Sequence, residues 1–478
     1  MNLVLSMNES PRGVSPYLVA IMATLAITAF TLRFWIQRRK QGRKLPPMAT
    51  TGLFQTVREL TGVDQRQFHI SQFQQKGGLF RLPIPGVVVV ANADDARAVY
   101  RDHHLKPYAM YRAISHLTGG PNIVSITGRP GDAWHHRRKG LNPAFAPKLV
   151  KRMNQVALEK CNQWIAQKLL PCAEKGTSFD LGNEMVHLTV GVISKAAFDY
   201  EVADTESTAI LHAIKEAIEE FGSKALYNPL RCSWFLKDRR QALLSVKMLR
   251  LFAQKMIDLC RNNPSPTPDT VVDLVVKNSN YNSDAERVSD LVTLLIAGHD
   301  TTGYTIAFAL RLLAENPEEQ ERLREKIVQD DDGGEYLTCV MKETMRRYSA
   351  TSLTAIRHLE TDFVSSVSSG TLFVPKGSIA LVSQVAVAHD TSVFPNPFAF
   401  EPSRWLPGNL TKDAQMAFFP FSLGKRNCVG QPLAMAEFRT VVPLLIRNFR
   451  FTVEETGQVV TRGSNRLENC YLKASKIA

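Results

Sequence analysis

The chain has 478 residues, 44% hydrophobic and 22% charged, with a formal net charge of +13. That composition excludes a disordered or collagen-like polymer and suffices for a large core around an internal cavity. Seven basic residues stand against Glu9 alone in residues 1–44, leaving about +7 spread thinly; no run resembles a nucleic-acid arm, and the excess suits an acidic protein partner or an anionic membrane surface.

Residues 1–16 read as a short lumenal tail carrying the sequon Asn8-Glu9-Ser10. Residues 17–36 read as a transmembrane anchor: Tyr17 to Leu32 is uncharged, Arg33 can snorkel, and Trp35 suits an interface. Arg38, Arg39, Lys40, Arg43 and Lys44 then hold the following chain on the cytosolic side. A cleaved signal peptide would want its charge ahead of the apolar run and a small-residue cleavage site behind it; only Arg12 precedes, and no such site is evident. Pro46-Pro47 stiffens the exit of a basic, proline-bearing linker, 37–47.

From residue 48 onward the pattern predicts one mainly α domain with a minor β-sheet. Leu79 to Ile84 and Val87 to Val90 predict a hairpin turning at Pro85-Gly86. Asp94 to Arg101 predicts a short helix, and 102–130, rich in Gly, Pro and Ser, predicts a long loop. Helical periodicity runs from Asp132 to about 260, broken near Lys175-Gly176 and Asn228-Pro229. A long helix is expected over 290–314, further helices over 318–327, 336–348 and 431–447, and strands over 371–374 and 379–387.

The seven cysteines are odd in number with no Cys-x-x-Cys pair, which argues against disulfides or zinc and for a reducing compartment. One stands apart. In Phe421-Ser-Leu-Gly424-Lys-Arg426-Asn-Cys428-Val-Gly430, the glycines let backbone turn tightly and approach a flat group. Backbone N–H groups and a following helix stabilise a thiolate, and Arg426 suits an anionic edge. A buried structural cysteine in a turn is the bland alternative, but five spaced residues agree.

That segment resembles the haem-binding loop of the cytochrome P450 family, Phe-x-x-Gly-x-Arg-x-Cys-x-Gly, with every fixed position present. The resemblance spans roughly residues 45–460. It implies haem b with Cys428 as iron ligand, and Trp134, Arg138, Arg357 and Arg426 about the haem propionates. Three further motifs support it. Ala297-Gly298-His299-Asp300-Thr301-Thr302 lies in the long helix, with Ala297 and Thr301 on one face and Gly298 expected to open a groove for a small ligand. The resemblance assigns Asp300 and Thr301 to proton delivery. It joins Glu343, Arg346 and Arg404 in a structural triad beneath the loop. Trp134-His-His-Arg-Arg138 opens a helix whose adjacent His135 and His136 read as exposed. The chain departs from the family in lacking the prolines usual after Glu-x-x-Arg, where Tyr348-Ser-Ala-Thr351 stands, and in a short connection before Glu343.

The expected activity is insertion of one oxygen atom of O2 into a C–H bond of a lipophilic metabolite such as a terpenoid, fatty acid or sterol. Repeated turnover can carry a methyl group to the acid. Electrons would come from a separate NADPH-dependent flavoprotein reductase, since the chain has no flavin or nicotinamide fingerprint, and the setting would be an endoplasmic-reticulum-type membrane. Two competing readings are a peroxide isomerase or dehydratase of the same fold and a non-catalytic, membrane-tethered haem binder. The pocket is expected from 105–127, 211–235, Leu294 to Thr302 and 351–356, with Leu117, Ile123, Val124, Leu353 and Ile356 apolar. Lys106, Tyr108, Arg112 and His116 are the residues expected to meet a polar or carboxylate end.

Overall fold

The computed structural model describes residues 44–129, 133–225, 231, 236–264, 270–330, 333–353, 355–366 and 372–477. The expected tail and anchor lie outside these residues. None of the described helices is long and apolar enough to cross a membrane.

Among the described residues nine strands form three small sheets: β1 (Leu79–Arg81), β2 (Val87–Val90), β3 (Phe179–Asp180), β4 (Ala355–His358), β5 (Phe363–Val364), β6 (Phe373–Val374), β7 (Ile379–Val382), β8 (Phe449–Arg462) and β9 (Ser464–Lys476). The largest has the order β1-β2-β7-β4, with β2 and β7 parallel and the outer pairs antiparallel. Val87 to Val90 are buried on both faces, as a central strand requires. The β8–β9 hairpin turns at Gly463 with φ 75° and pairs with β3 through β9.

The centre of the molecule is the helix Asp284–Glu315, capped at its start by the Ser283 side chain. Its 32 residues span on the order of 48 Å at 1.5 Å each. Ile306 to Leu310 are fully buried, so both sides of the helix meet protein there. Its neighbour Leu181–Phe198 approaches closely because glycines lie between them. A Cβ on Gly303 would meet Thr189 Oγ1 at 2.7 Å, and one on Gly298 would meet Ile193 at 2.9 Å. Gly298 therefore serves helix packing; the expected ligand groove is not what its missing side chain makes.

Other boundaries moved in instructive ways. The supposed loop after residue 102 contains the helix Tyr108–Leu117, which buries Tyr111, Ala113 and Leu117. The expected strand over 379–387 stops at Val382, because Ser383 caps a short helix Gln384–Ala388 by accepting from the Ala386 N–H. The remaining expected helices appear with shifted ends, among them Gly334–Arg347 and Gln431–Asn448.

Candidate active site

The loop 421–430 is closed by the Cys428 N–H donating to Phe421 O at 2.9 Å. Gly424 adopts φ 71°, and a Cβ there would stand 2.8 Å from Tyr100 O. Gly430 leads into Gln431–Asn448, and a Cβ on it would sit 3.8 Å from Cys428 Sγ, flush against the sulfur. Burial pushes the Cys428 thiol up; the Gly430 N–H, Arg138 and the Gln431 N–H pull the other way. The residue nonetheless keeps accessible surface. Such a sulfur is presented for ligation, and a coordinated metal ion would deprotonate it.

The cations around the loop test whether haem fits. Lys106 is driven well below its ordinary value by burial and then by Arg357, Arg426 and Arg138, all converging on the same region. Among the described residues, Lys106, Arg138 and Arg357 make no ion pair with a carboxylate. Desolvated like charges demand an anionic group between them, and the two propionates of haem supply one. The sulfur, Gly430 flush against it and the cations thus fit haem.

The individual contacts refine the expectations. Arg138 donates to Asn427 O and Asn427 Oδ1, both at 2.9 Å, so it braces the ligand loop directly. Arg426 lies over the Trp134 ring at 3.6 Å, joining two candidates far apart in sequence. Arg357 lies over Tyr100 at 5.9 Å and donates to Ile356 O. His135 and His136 are exposed, as read.

The triad forms with every partner expected and two further donors. Glu343 takes two hydrogen bonds from Arg346, at 2.8 and 2.9 Å, and one from Arg404 at 3.1 Å. Trp405 Nε1 donates at 2.9 Å and the Glu401 N–H at 3.1 Å, so both carboxylate oxygens are saturated. These charges hold Glu343 below the usual carboxylate range against its burial. Arg346 spends its remaining N–H groups on Ala388 O, Pro397 O and Ala399 O, tying the segment ahead of the ligand loop to Gly334–Arg347.

On the long helix, Ala297 is exposed although Ile296, His299 and Asp300 are buried. A cavity of about 300 Å³ opens over it, lined also by Thr301, Asp300, Ile296 and Thr293. Thr301 Oγ1 donates back to Ala297 O at 2.9 Å. Asp300 is buried and engaged: Arg466 Nη2 stands 3.3 Å from Oδ1, and the Ser464 hydroxyl donates to Oδ2. Burial disfavours the Arg466 charge, but Asp300 and further acidic neighbours outweigh it.

Leu117, Val124, Leu353 and Ile356 line the cavity as expected, and Ile123 does not. None of the four expected polar contacts reaches it. Lys106 donates to Val124 O and lies over Tyr111, Tyr108 is 61% exposed, Arg112 is exposed, and His116 packs on Phe221. Tyr111 and Ile218 fall within the expected segments 105–127 and 211–235, but Gln65, Thr461 and Ser464 were not anticipated; the hairpin and the first helices bring these three in from the two ends of the chain.

A further unanticipated group is Asp290. It accepts from the Ile123 N–H at 2.6 Å and the Tyr281 hydroxyl at 2.7 Å, with Arg137 nearby at 3.8 Å, and so pins the loop over the cavity. Burial raises it to about 6 despite those donors. Sequence spacing gave no signal for it, because its partners come from three separate segments.

Over residues 45–469 the chain matches the profile of the family described as Cytochrome P450. Human cytochrome P450 4F8 is 26% identical over 427 residues, covering 80% of this chain and 81% of that protein. The fruit-fly (Drosophila melanogaster) protein named probable cytochrome P450 4s3 is 28% identical over 372 residues, 70% of this chain and 73% of its own. Rat cytochrome P450 4F1 is 25% identical over 414 residues, 78% and 77% of the two chains. With a thiol offered from a glycine-lined loop, a saturated Glu343 triad beside it and a match over almost the whole described body, the chain belongs to the cytochrome P450 family, an oxidoreductase that carries haem ligated by a cysteine thiolate.

Proposed function

We propose that the protein inserts one oxygen atom of O2 into a C–H bond of a compact lipophilic molecule, with Cys428 as the iron ligand. The observation that carries this reading is the Cys428 sulfur, accessible yet deep in the protein, with two backbone N–H groups turned toward it. When bound, haem supplies the redox centre that activates O2, and a thiolate ligand favours O–O cleavage.

The chain's own residues do the rest. Lys106, Arg138, Arg357 and Arg426 would hold the propionates, and Phe421, Gly424 and Gly430 shape the loop around the sulfur. Glu343, Arg346 and Arg404 fix the ground beneath it. Ile296, Leu353 and Ile356 exclude water, while Ala297 leaves room beside Thr301. Asp300 and Thr301 pass protons toward that space. Because Ser464 and Arg466 occupy both oxygens of Asp300, one of them must turn aside for each transfer. A separate NADPH-dependent flavoprotein reductase supplies electrons, and residues 17–36 anchor the enzyme to an endoplasmic-reticulum-type membrane with this domain in the cytosol.

Cys428→Ser tests the reading. The variant should lose the reduced carbon-monoxide absorption near about 450 nm that thiolate ligation gives. Retention of that band would remove Cys428 as the ligand.

A further inference from the structure

The wall of the cavity opposite its apolar side has a hydrogen-bonding polarity that is set by the fold. Asn465 is fully buried on the β8–β9 hairpin, and its Nδ2 donates to Ser349 O at 2.6 Å. That contact fixes which way its amide points, so Oδ1 must be the acceptor. Oδ1 takes the hydroxyl hydrogens of both Ser352, at 3.0 Å, and Thr461, at 2.8 Å. Both residues line the cavity, and with their hydrogens on Asn465 both hydroxyls can offer only lone pairs, one of Thr461's being taken by the Gln65 N–H at 3.3 Å. Gln65 is oriented by the same logic. Its Nε2 donates to Leu60 O, leaving Oε1 with no donor among the described residues. Asp300, lining the same cavity, is an acceptor as well.

Charge points the same way. Among the described residues lining the cavity there is no Lys, Arg or His, and the single ionisable acid is Asp300. The internal residues outside the description include none of those three types either. Arg357 neighbours the lining residue Ile356 on strand β4, where alternate residues face opposite sides, and its contact with the wall is to the Tyr111 hydroxyl. Arg466 is spent on Asp300.

We infer that the substrate is a neutral lipophile presenting a hydrogen-bond donor, a hydroxyl above all, to Gln65, Ser352 and Thr461, and that a carboxylate is rejected. At that wall a carboxylate, which can only accept, would meet lone pairs and the like charge of Asp300. A hydroxyl meets acceptors on residues that line the cavity. A volume of about 300 Å³ lies at the low end for ligand pockets and favours a compact skeleton. The apolar ring of Ile114, Leu117, Ile218 and Leu353 then holds the hydrocarbon near Ala297 and Thr301.

The inference rests on the proposed monooxygenase reading, and one titration separates the two. The haem-loaded full chain is titrated at pH 7.4 with 1-dodecanol, 1-methoxydodecane and dodecanoate, three ligands sharing a chain and differing in head group, while the Soret shift is followed. The alcohol should bind about tenfold more tightly than either of the others. Gln65→Met should bring the alcohol and the ether together while the reduced carbon-monoxide band is kept; Ser352→Ala reads the same effect should the first variant fail to fold. Dodecanoate binding as tightly as the alcohol, an ether equal to the alcohol in the unsubstituted chain, or no shift with any of the three would overturn the inference. A missing carbon-monoxide band would instead overturn the monooxygenase reading.

Discussion

Glu437 lies on the helix that follows the ligand loop, fully enclosed, and its Oε1 has no hydrogen-bond partner among the described residues. Burial raises its carboxyl to about 8. In the unfolded chain it titrates near its ordinary 4.5. Folding therefore takes up a proton between those values, and stability falls as pH rises from about 4.5 to about 8. Glu437→Gln removes that uptake. In urea unfolding the stability of the variant should match the native protein near pH 5 and exceed it increasingly toward pH 8, by an amount on the order of a few kcal/mol. Parallel curves across that range would contradict the assignment. At this scale much was legible beforehand. Cys428, Gly424 and Gly430 sit in one short segment whose spacing encodes its geometry. Glu437 and Asp290 were not legible, because their burial comes from packing and not from neighbours in sequence.

Helices and strands follow from simpler rules, and the failures have definite causes. The amphipathic centre of the chain gave Asp284–Glu315 correctly in kind, but the expected start was late because Ser283 and Glu286 form a cap inside a polar stretch. Tyr108–Leu117 was missed since Gly119, Gly120 and Pro121 make the whole region look irregular, although only its second half is. The β8–β9 hairpin was not anticipated because its outward positions carry charges that mask the alternation. Packing between elements gives a sharp test at Gly303. A Cβ there would also stand 3.1 Å from Met185 O, a backbone atom that cannot rotate away. Gly303→Ala should destabilise the protein by about 1–3 kcal/mol in urea unfolding, despite the better helix propensity of alanine. A stabilised variant would show that the two helices can part at no cost.

Across the whole molecule, the hairpin acts as a brace from the far end of the chain. Asn465 holds Ser349 and Ala350 through their carbonyls and Ser352 through its hydroxyl. This is the stretch where the family's prolines are missing. Hydrogen bonds from one asparagine thus take over a constraint that proline would impose on the backbone. The same residue sets the polarity of the cavity wall, so the departure and the pocket chemistry have one origin.

The positive side chains gathered behind the ligand loop carry a consequence for the life of the polypeptide. Without a dianion to separate them, Lys106, Arg357, Arg426 and Arg138 repel in a region too dry to screen the repulsion. Pigment supply should then govern how much polypeptide survives in the cell. Blocking tetrapyrrole synthesis should shorten its half-life in a pulse-chase experiment several-fold, while Lys106→Met, with one charge fewer, should blunt that dependence; equal half-lives with and without the block would show that the chain closes on its own.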